Sequence, residues 1–310
     1  MMFVAAVSMV HAETVEPIKF GKFEQWIKRN IKESAVLGSK EKVVYEIGPS
    51  ATINGAKAYK NMGGSPWGTS NVYANVMGVV KASNAVFPDD RAPGNKCAKL
   101  TTVIEHVKAI GIINMDVLVT GSIFLGQMME PVKSTKSPYS KMEMGIPFTK
   151  RPKYLQFDYK IHHPGGDRIK ATGFGSQKVL KGKDYAEVFV LLQRRWETPD
   201  GKLHAARVGT GRERYGSSVE TWQNNHRIEI LYGDITKNPK FKSYMDLISG
   251  EKAYYARNSK GKMVKVEEEQ WDDANAEPTH VLMMASTACG TAFVGTVGMT
   301  LWVDNFAFVY

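Results

Sequence analysis

Residues 295–306 read GTVGMTLWVDNF and contain the strongest structural signal in the chain. A glycine-marked turn leads into a β-strand that is apolar on both faces and interrupted by one aspartate. Because successive strand side chains point to opposite faces, Trp302, Asp304 and Phe306 are expected on one face and the residues between them on the other. An aspartate among large apolar groups is costly unless it is hydrogen-bonded or bound to a cation. The stretch therefore predicts a strand of a packed β-sheet in which Asp304 has a partner.

Similar strand-like runs fill most of the remaining sequence. They are rich in β-branched and aromatic residues, are separated by Gly, Pro, Asn and Asp, and span residues 43–47, 71–81, 98–103, 112–125, 154–161, 186–196, 203–208, 227–232, 280–286 and 299–310. Residues 198–201, Thr-Pro-Asp-Gly, supply the turn of one hairpin. Helical periodicity is scarce, and short helices are expected only at 23–37 and 240–248. The pattern predicts an all-β fold, an antiparallel β-sandwich of jelly-roll type with one or two short helices, in a single domain over residues 13–310.

The first twelve residues, MMFVAAVSMVHA, have the character of a leader. They are apolar and end in Val-His-Ala, a small-residue cleavage site before Glu13, which is typical of a secretory signal peptide. The segment is too short to span a bilayer and contains no cysteine for lipid attachment. We expect an exported protein, periplasmic or at the cell surface, without a membrane-spanning segment.

The chain is basic, with a formal net charge of +10. This charge is compatible with anionic partners such as sulfated or uronic-acid glycans, or with solubility alone. No nucleic-acid-binding motif accompanies it, so no nucleic-acid partner is expected. The two cysteines, Cys97 and Cys289, can be buried free thiols or a disulfide, and sequence alone leaves both alternatives open.

Four local patterns precede the closing strand in a fixed order. They are FEQW at 23–26, WGTSN at 67–71, AKLT at 98–101 and GIPFTKRP at 145–152. Together with the closing strand, they resemble the putative carbohydrate metabolism domain of Bacteroides-type bacteria, and the resemblance covers nearly the whole mature chain. It implies a jelly-roll fold similar to carbohydrate-binding modules and a glycan context, without implying a particular reaction.

The resemblance to such modules also suggests a cation site. Jelly-roll carbohydrate-binding modules often hold a structural calcium between an early Phe-Glu pair and a late strand aspartate, which correspond here to Glu24 and Asp304. Calcium requires about 6–8 oxygen ligands, so two carboxylates are only part of a site. The alternative is that Asp304 accepts hydrogen bonds and Glu24 caps a turn.

Two places in the sequence combine aromatic and polar residues in a way that suits sugar binding. Trp67 lies in a glycine-containing loop near Asn71, where an indole could stack on a pyranose and an amide could bind its hydroxyls. Arg194 and Trp196 share one strand face, a combination suited to acidic sugars. The alternatives are a buried aromatic plug at the first place and a solvent-exposed face with cation–π pairs at the second.

An enzymatic function would require a pair of carboxylates close in space. Asp158, Glu220 and Glu229 lie on or beside predicted strands, but sequence cannot place any two of them together. No Gly-x-Ser-x-Gly elbow or His-Glu-x-x-His motif is present. We therefore expect non-covalent recognition of a poly- or oligosaccharide, with two alternatives: a glycoside hydrolase or lyase acting on an acidic glycan, and a structural or adhesive surface module.

Overall fold

The computed structural model describes residues 12–109, 113–173, 175 and 177–310. Over these ranges the chain forms strands and short 3₁₀ turns without an α-helix, which confirms the all-β prediction. None of the helical turns in the described ranges has the length and apolar character that a bilayer crossing requires. The predicted leader, apart from Ala12, lies outside the described residues.

The strands are numbered in chain order. Those of the first half are β1 (Val15–Pro17), β2 (Trp26–Lys32), β3 (Glu41–Ile47), β4 (Ala51–Asn54), β5 (Trp67–Thr69), β6 (Val72–Val76), β7 (Val79–Ser83), β8 (Val86–Ala92), β9 (Asn95–Thr101), β10 (Val103–Ala109), β11 (Ile113–Val119), β12 (Ser122–Met128), β13 (Met142–Met144) and β14 (Ile146–Pro147). Those of the second half are β15 (Tyr154–His162), β16 (Arg168–Lys170), β17 (Thr172–Gly173), β18 (Lys178–Leu180), β19 (Ala186–Glu197), β20 (Leu203–Tyr215), β21 (Val219–Glu229), β22 (Leu231–Tyr232), β23 (Tyr255–Arg257), β24 (Met263–Trp271), β25 (His280–Ser286), β26 (Val294–Gly295) and β27 (Thr300–Val309). The 3₁₀ turns are Ala35–Leu37, Pro138–Lys141, Ser243–Met245 and Gly250–Lys252.

Two large sheets organise the molecule. The first has the order β21-β15-β27-β9-β8, with β1 paired to β27. In the second, β25, β19, β20, β24, β23, β13 and β12 follow one another, and β12 pairs again with β25. These seven strands form a closed ring, and β5, β14 and β22 attach to it. The simple jelly-roll sandwich expected from the sequence is therefore incomplete as a description, because one of the two layers closes on itself.

The main core lies between the first sheet and one wall of the ring. Leu155, Leu301 and Val303 from the sheet meet Val188 and Val190 from the ring in one cluster of buried side chains. The alternate residues of the ring strands point the other way and form a second cluster, which contains Phe124, Met144, Phe189, Leu191, Tyr254 and Leu282. The ring is thus filled by its own side chains in the middle and can be open only at its ends.

The closing strand β27 departs from the expected alternation near its end. Asn305 has φ 55°, and the pairing of β27 with β15 shifts register at this point. The bulge moves Phe306 to the core side, where its ring stacks on Phe157 at 5.0 Å between centroids. The prediction that Phe306 shares a face with Trp302 and Asp304 was wrong, because it assumed an uninterrupted period of two.

The two predicted helices were also wrong. Residues 26–32 form β2, in which the buried residues Ile27, Arg29 and Ile31 alternate with more exposed ones. The spacing of the two isoleucines also fits one helix turn, which explains the error. In the second segment only Ser243–Met245 forms a 3₁₀ turn.

Two other expectations can be compared directly with the structure. Residues 198–201 form the turn between β19 and β20, where the amide of Gly201 donates to the carbonyl of Thr198 at 2.8 Å, as predicted. Cys97 and Cys289 are both buried free thiols, so of the two alternatives the structure contains the free form.

Candidate functional site

A row of polar side chains crosses four neighbouring strands at one end of the ring. Cross-strand pairing places Ser122 on β12 opposite Ser286 on β25, Ser286 opposite Glu187 on β19, and Glu187 opposite Arg214 on β20. The hydroxyl oxygens of Ser122 and Ser286 are 2.8 Å apart. The following row, Phe124, Met284, Phe189 and Arg212, continues toward the ring interior. The strands thus end in a polar rim above an aromatic floor.

Glu187 is the centre of this rim. Its side chain is buried, and its two carboxylate oxygens accept hydrogen bonds from Arg212 Nη2 at 2.6 Å and from Arg214 Nε. Burial alone would lower the pKa of Arg212, but the Glu187 carboxylate outweighs that effect and raises the pKa above its ordinary value. Glu187 and the two arginines therefore form a fixed charged cluster rather than mobile surface groups.

This rim borders a cleft of about 640 Å³, which we call the ring-end cleft. Three tyrosines line it: Tyr139, Tyr244 and Tyr254. The rings of Tyr139 and Tyr254 meet edge to face at 6.0 Å, and Tyr254 stacks on Phe189 at 6.0 Å. Burial raises the pKa of each of the three tyrosines, so their hydroxyls are neutral hydrogen-bonding groups at neutral pH.

Further charged side chains complete the cleft. Arg168 and Lys252 line it together with Asp246. Arg214 stacks over the ring of Tyr244, with its guanidinium carbon 4.4 Å from the ring centroid. The cleft therefore offers aromatic surface, hydroxyls and fixed charges in one concavity, which is the usual composition of a site for a polar small molecule.

Trp67 and Asn71, expected to bind sugar, lie elsewhere and are fully buried. The indole of Trp67 packs edge to face on Phe23 at 5.4 Å, and its Nε1 donates to the carbonyl of Lys19 at 2.8 Å. A completely buried indole has no face for a pyranose, so of the two alternatives the structure contains the aromatic plug. All four hydrogen bonds of the Asn71 side chain are made to backbone groups.

Arg194 and Trp196 lie at the opposite end of β19 from Glu187. Arg194 forms a two-pronged salt bridge with Asp272, through Nε at 2.7 Å and Nη2 at 3.0 Å. Trp196 stacks on His204 with centroids 5.6 Å apart and lines a smaller cleft of about 330 Å³. Both residues therefore lie near solvent, but the guanidinium of Arg194 is already paired with the carboxylate of Asp272.

Glu24 and Asp304 do not fit the expected calcium site. Asp304 accepts hydrogen bonds from Arg91 Nη1 at 2.8 Å and from the amide of Asn305 at 2.8 Å. The same Arg91 nitrogen lies 2.6 Å from Asp158. A guanidinium therefore lies where the cation was expected. Glu24 instead accepts from Asn95 Nδ2 and the Lys96 amide in β9. The alternative in which Asp304 is satisfied by donors agrees with this geometry.

The residues of the ring-end cleft were largely missed at the level of sequence. Arg212 and Arg214 alternate along one strand, and this pattern places both on one face. Glu187 stands at the start of an apolar strand, where a lone carboxylate signals a specific partner. Nothing local in the sequence connects these residues with Ser122, Tyr139 or Tyr254.

Three solved structures are similar to this chain over most of its length. A putative glycoside hydrolase from Bacteroides thetaiotaomicron is 15% identical, with 91% of this chain and 70% of that chain covered and a TM-score of 0.49. A putative glycoside hydrolase from Bacteroides vulgatus is 13% identical, with 94% of each chain covered and a TM-score of 0.42. A carbohydrate-binding module specific for non-crystalline cellulose, CBM28, is 10% identical, with 80% of this chain and 90% of that chain covered and a TM-score of 0.25.

No curated protein matches the chain. The model of the putative carbohydrate metabolism domain matches residues 23–309, which is nearly the whole sequence. This match confirms the resemblance seen in the sequence motifs, and the chain belongs to the putative carbohydrate metabolism domain family.

Proposed function

We propose that this protein recognises a poly- or oligosaccharide without a covalent step, and that the sugar binds in the ring-end cleft. Membership of a carbohydrate-metabolism family supports the ligand class. The location is supported by one observation, namely that three tyrosines, two paired serines and a fixed Glu187–arginine cluster line the same concavity of about 640 Å³. Sugar rings are bound by aromatic faces and their hydroxyls by such polar groups.

The first experiment is a glycan-array screen of the protein, with mass spectrometry of each bound glycan. Retention of intact glycan supports recognition, and silence across neutral and acidic glycans contradicts it. The location is tested with Tyr244→Ala in the ring-end cleft and with Trp196→Ala in the smaller cleft at the other end of β19. We expect the first variant to lose binding by about tenfold and the second to keep it, since aromatic stacking supplies the contact. The reverse result would place the site at Arg194 and Trp196.

A glycoside hydrolase is the second candidate function. It is favoured by the presence of two carboxylates, Glu187 and Asp246, in the lining of the same cleft. Hydrolysis of a glycosidic bond uses two such groups. Shortened products in the mass spectra, lost in Glu187→Gln, would establish catalysis. Intact glycans after prolonged incubation would leave recognition as the function.

Export is part of the proposal. The apolar residues 1–12 support it, since they have the composition of a signal peptide. Expression of the full chain in a bacterial host should yield protein that begins at Glu13 and fractionates outside the cytoplasm. Intact mass and cell fractionation check this, and an unprocessed cytoplasmic product would contradict it.

A further inference from the structure

We infer that the ligand of the ring-end cleft is an anionic sugar whose carboxylate or sulfate group is bound by Arg168 and Arg212. This inference rests on the proposed binding of carbohydrate in the same cleft and specifies the chemical class of that carbohydrate. The argument starts from two hydrogen-bond donors that the fold leaves without acceptors.

The first donor is Nε of Arg212. The residue is only 8% exposed, and its Nη2 is committed to Glu187. Its Nε is buried and has no hydrogen-bond partner among the described residues. An unpaired buried donor is destabilising, so native proteins rarely retain one without a reason.

The second donor is Nε of Arg168, which also lines the cleft. It too is buried without a partner within the part of the chain that the structure describes. The carboxylate of Asp184 is its nearest charge, at 4.0 Å, which is too far for a hydrogen bond. Asp184 instead accepts from the amides of Tyr185 and Thr296, at 3.0 Å and 2.7 Å. It is therefore held by backbone donors and does not satisfy Arg168.

Arg168 packs closely on Gly290, beside the aromatic wall of the cleft. A β-carbon at this position would lie 3.1 Å from Arg168 Nη2, and φ at Gly290 is +128°. The carbonyl of the same glycine accepts the hydroxyl of Tyr139 at 3.1 Å. A guanidinium and a tyrosine hydroxyl that both line the cleft therefore lie against Gly290.

The charge balance of the cleft agrees with an anionic ligand. Four cations line it, namely Arg168, Arg212, Arg214 and Lys252. Two carboxylates, Glu187 and Asp246, lie in the same lining, and Asp184 lies 4.0 Å from Arg168, so one positive charge remains in excess. An oxygen anion would satisfy the two unpaired Nε groups with charge-assisted hydrogen bonds, which are about twice as strong as neutral ones. A neutral sugar hydroxyl could accept one such bond but would leave the excess positive charge uncompensated.

The test is isothermal titration calorimetry with three probes: a galacturonate tetrasaccharide, its fully methyl-esterified counterpart, and a sulfated neutral tetrasaccharide. We expect at least one anionic probe to bind at least about tenfold more tightly than the esterified one, as expected for charged hydrogen bonds. Binding of the galacturonate alone identifies a carboxylate ligand, and binding of the sulfated probe alone identifies a sulfate. Equal affinity for the charged and esterified probes overturns this inference but leaves the proposed function standing. Failure of all three to bind overturns this inference, and the glycan-array screen then decides the proposed function separately.

Two variants and one control locate the effect. Arg168→Gln should weaken binding of the anionic probe about tenfold or more while leaving the melting temperature near that of the wild type, since its side chain is partly exposed. Arg212→Lys keeps the charge but removes Nε, and should also weaken binding if the melting temperature is preserved. The control is Arg227→Gln on the first sheet, which breaks an ion pair with Glu13 outside the cleft. Unchanged affinity in Arg168→Gln, or equal loss in Arg227→Gln, would contradict the assignment.

Discussion

The side-chain amide of Asn71 binds two backbone segments, one at Tyr45 and one at residues 85–86. Its Nδ2 donates to the carbonyls of Tyr45 and Val86, at 2.8 Å and 2.7 Å. Its Oδ1 accepts from the amides of Ala85 and Val86, at 2.8 Å and 2.9 Å. Sequence showed only a polar residue beside a tryptophan, which suits a sugar site and a structural bridge equally. Its partners come from other strands, so their identity could not be read locally.

We expect Asn71→Ala to lower the free energy of unfolding by about 2–4 kcal/mol, because several buried backbone groups lose their partners. The measurement is urea denaturation at neutral pH. Asn95→Ala is the matched control, since that amide makes an exposed hydrogen bond to Glu24. It should change stability by no more than about 0.5 kcal/mol. Similar values for the two variants would contradict the bridging role.

Asp304 gives a pH-dependent contribution to stability. Burial raises its pKa from 3.8 to about 6, although Arg91 opposes the shift. Between about pH 4 and pH 6 the folded protein therefore retains a proton that the unfolded chain has released. Stability from this group is greatest at low pH and is lost as the pH rises through that window.

Asp304→Asn removes this titration. The free energy of unfolding of the wild type, relative to that of Asp304→Asn, should fall as the pH rises from about 4 to about 6 and then stay level. Denaturation curves of both proteins at intervals of pH provide the measurement. A difference that is constant over this range, or that increases with pH, would show that burial does not dominate at Asp304.

The individual strands were largely predictable, but their closure into a ring was not. Runs of β-branched and aromatic residues predict β15, β19 and β25 because each strand has its own local signal. The ring depends on pairings between distant segments, such as Gly126 with Met144 and Glu143 with Tyr255. Those pairings are specified by close backbone approach rather than by a pattern within one segment.

Gly126 is the position at which this approach is closest. A β-carbon there would lie 2.0 Å from the carbonyl oxygen of Glu143, and φ is +146°. We expect Gly126→Ala to lower stability by more than about 4 kcal/mol or to prevent folding, because backbone on both strands must move. Gly182→Ala is the control, with φ +95° but nothing within 4 Å. It should lose only about 1–2 kcal/mol. Thermal melts of both variants measure the loss of stability. An equal drop in melting temperature for the two variants would contradict this role of Gly126.

For the molecule as a whole, one cluster of buried side chains joins the first sheet to the ring. The candidate site shows the limit of sequence reasoning at this scale. Its polar row takes Ser122, Glu187, Arg214 and Ser286 from four strands, and pairing between strands that are distant in sequence makes them neighbours. Composition indicated a basic protein and the family resemblance implied a glycan context, but the location of the candidate site depends on the tertiary structure.

The two thiols report on whether the sheet and the ring unfold together. Cys97 lies in β9 of the first sheet, and Cys289 follows β25 of the ring. Burial raises the pKa of both thiols, to about 12 for Cys97, so neither should react in the folded protein. We expect pulsed thiol labelling in urea, read by mass spectrometry of peptides, to show both becoming reactive over the same denaturant range. Labelling of one well before the other would indicate two units of separate stability.

The closed ring also bears on how this protein would aggregate. An unpaired strand edge can recruit another chain, and a ring has no such edge while it stays closed. The first sheet has three edge strands, β1, β8 and β21. β8 and β21 are interrupted by Pro88 and by the positive φ of Asn225, and β1 has only three residues and ends in Pro17, which discourages further pairing. The thinnest seam is between β13 and β23, where a single pair, Glu143 with Tyr255, bridges the strands. Transient separation of β13 from β23 would expose two unpaired strand edges at once. We therefore expect fibril formation to begin at this seam rather than at the edges of the first sheet.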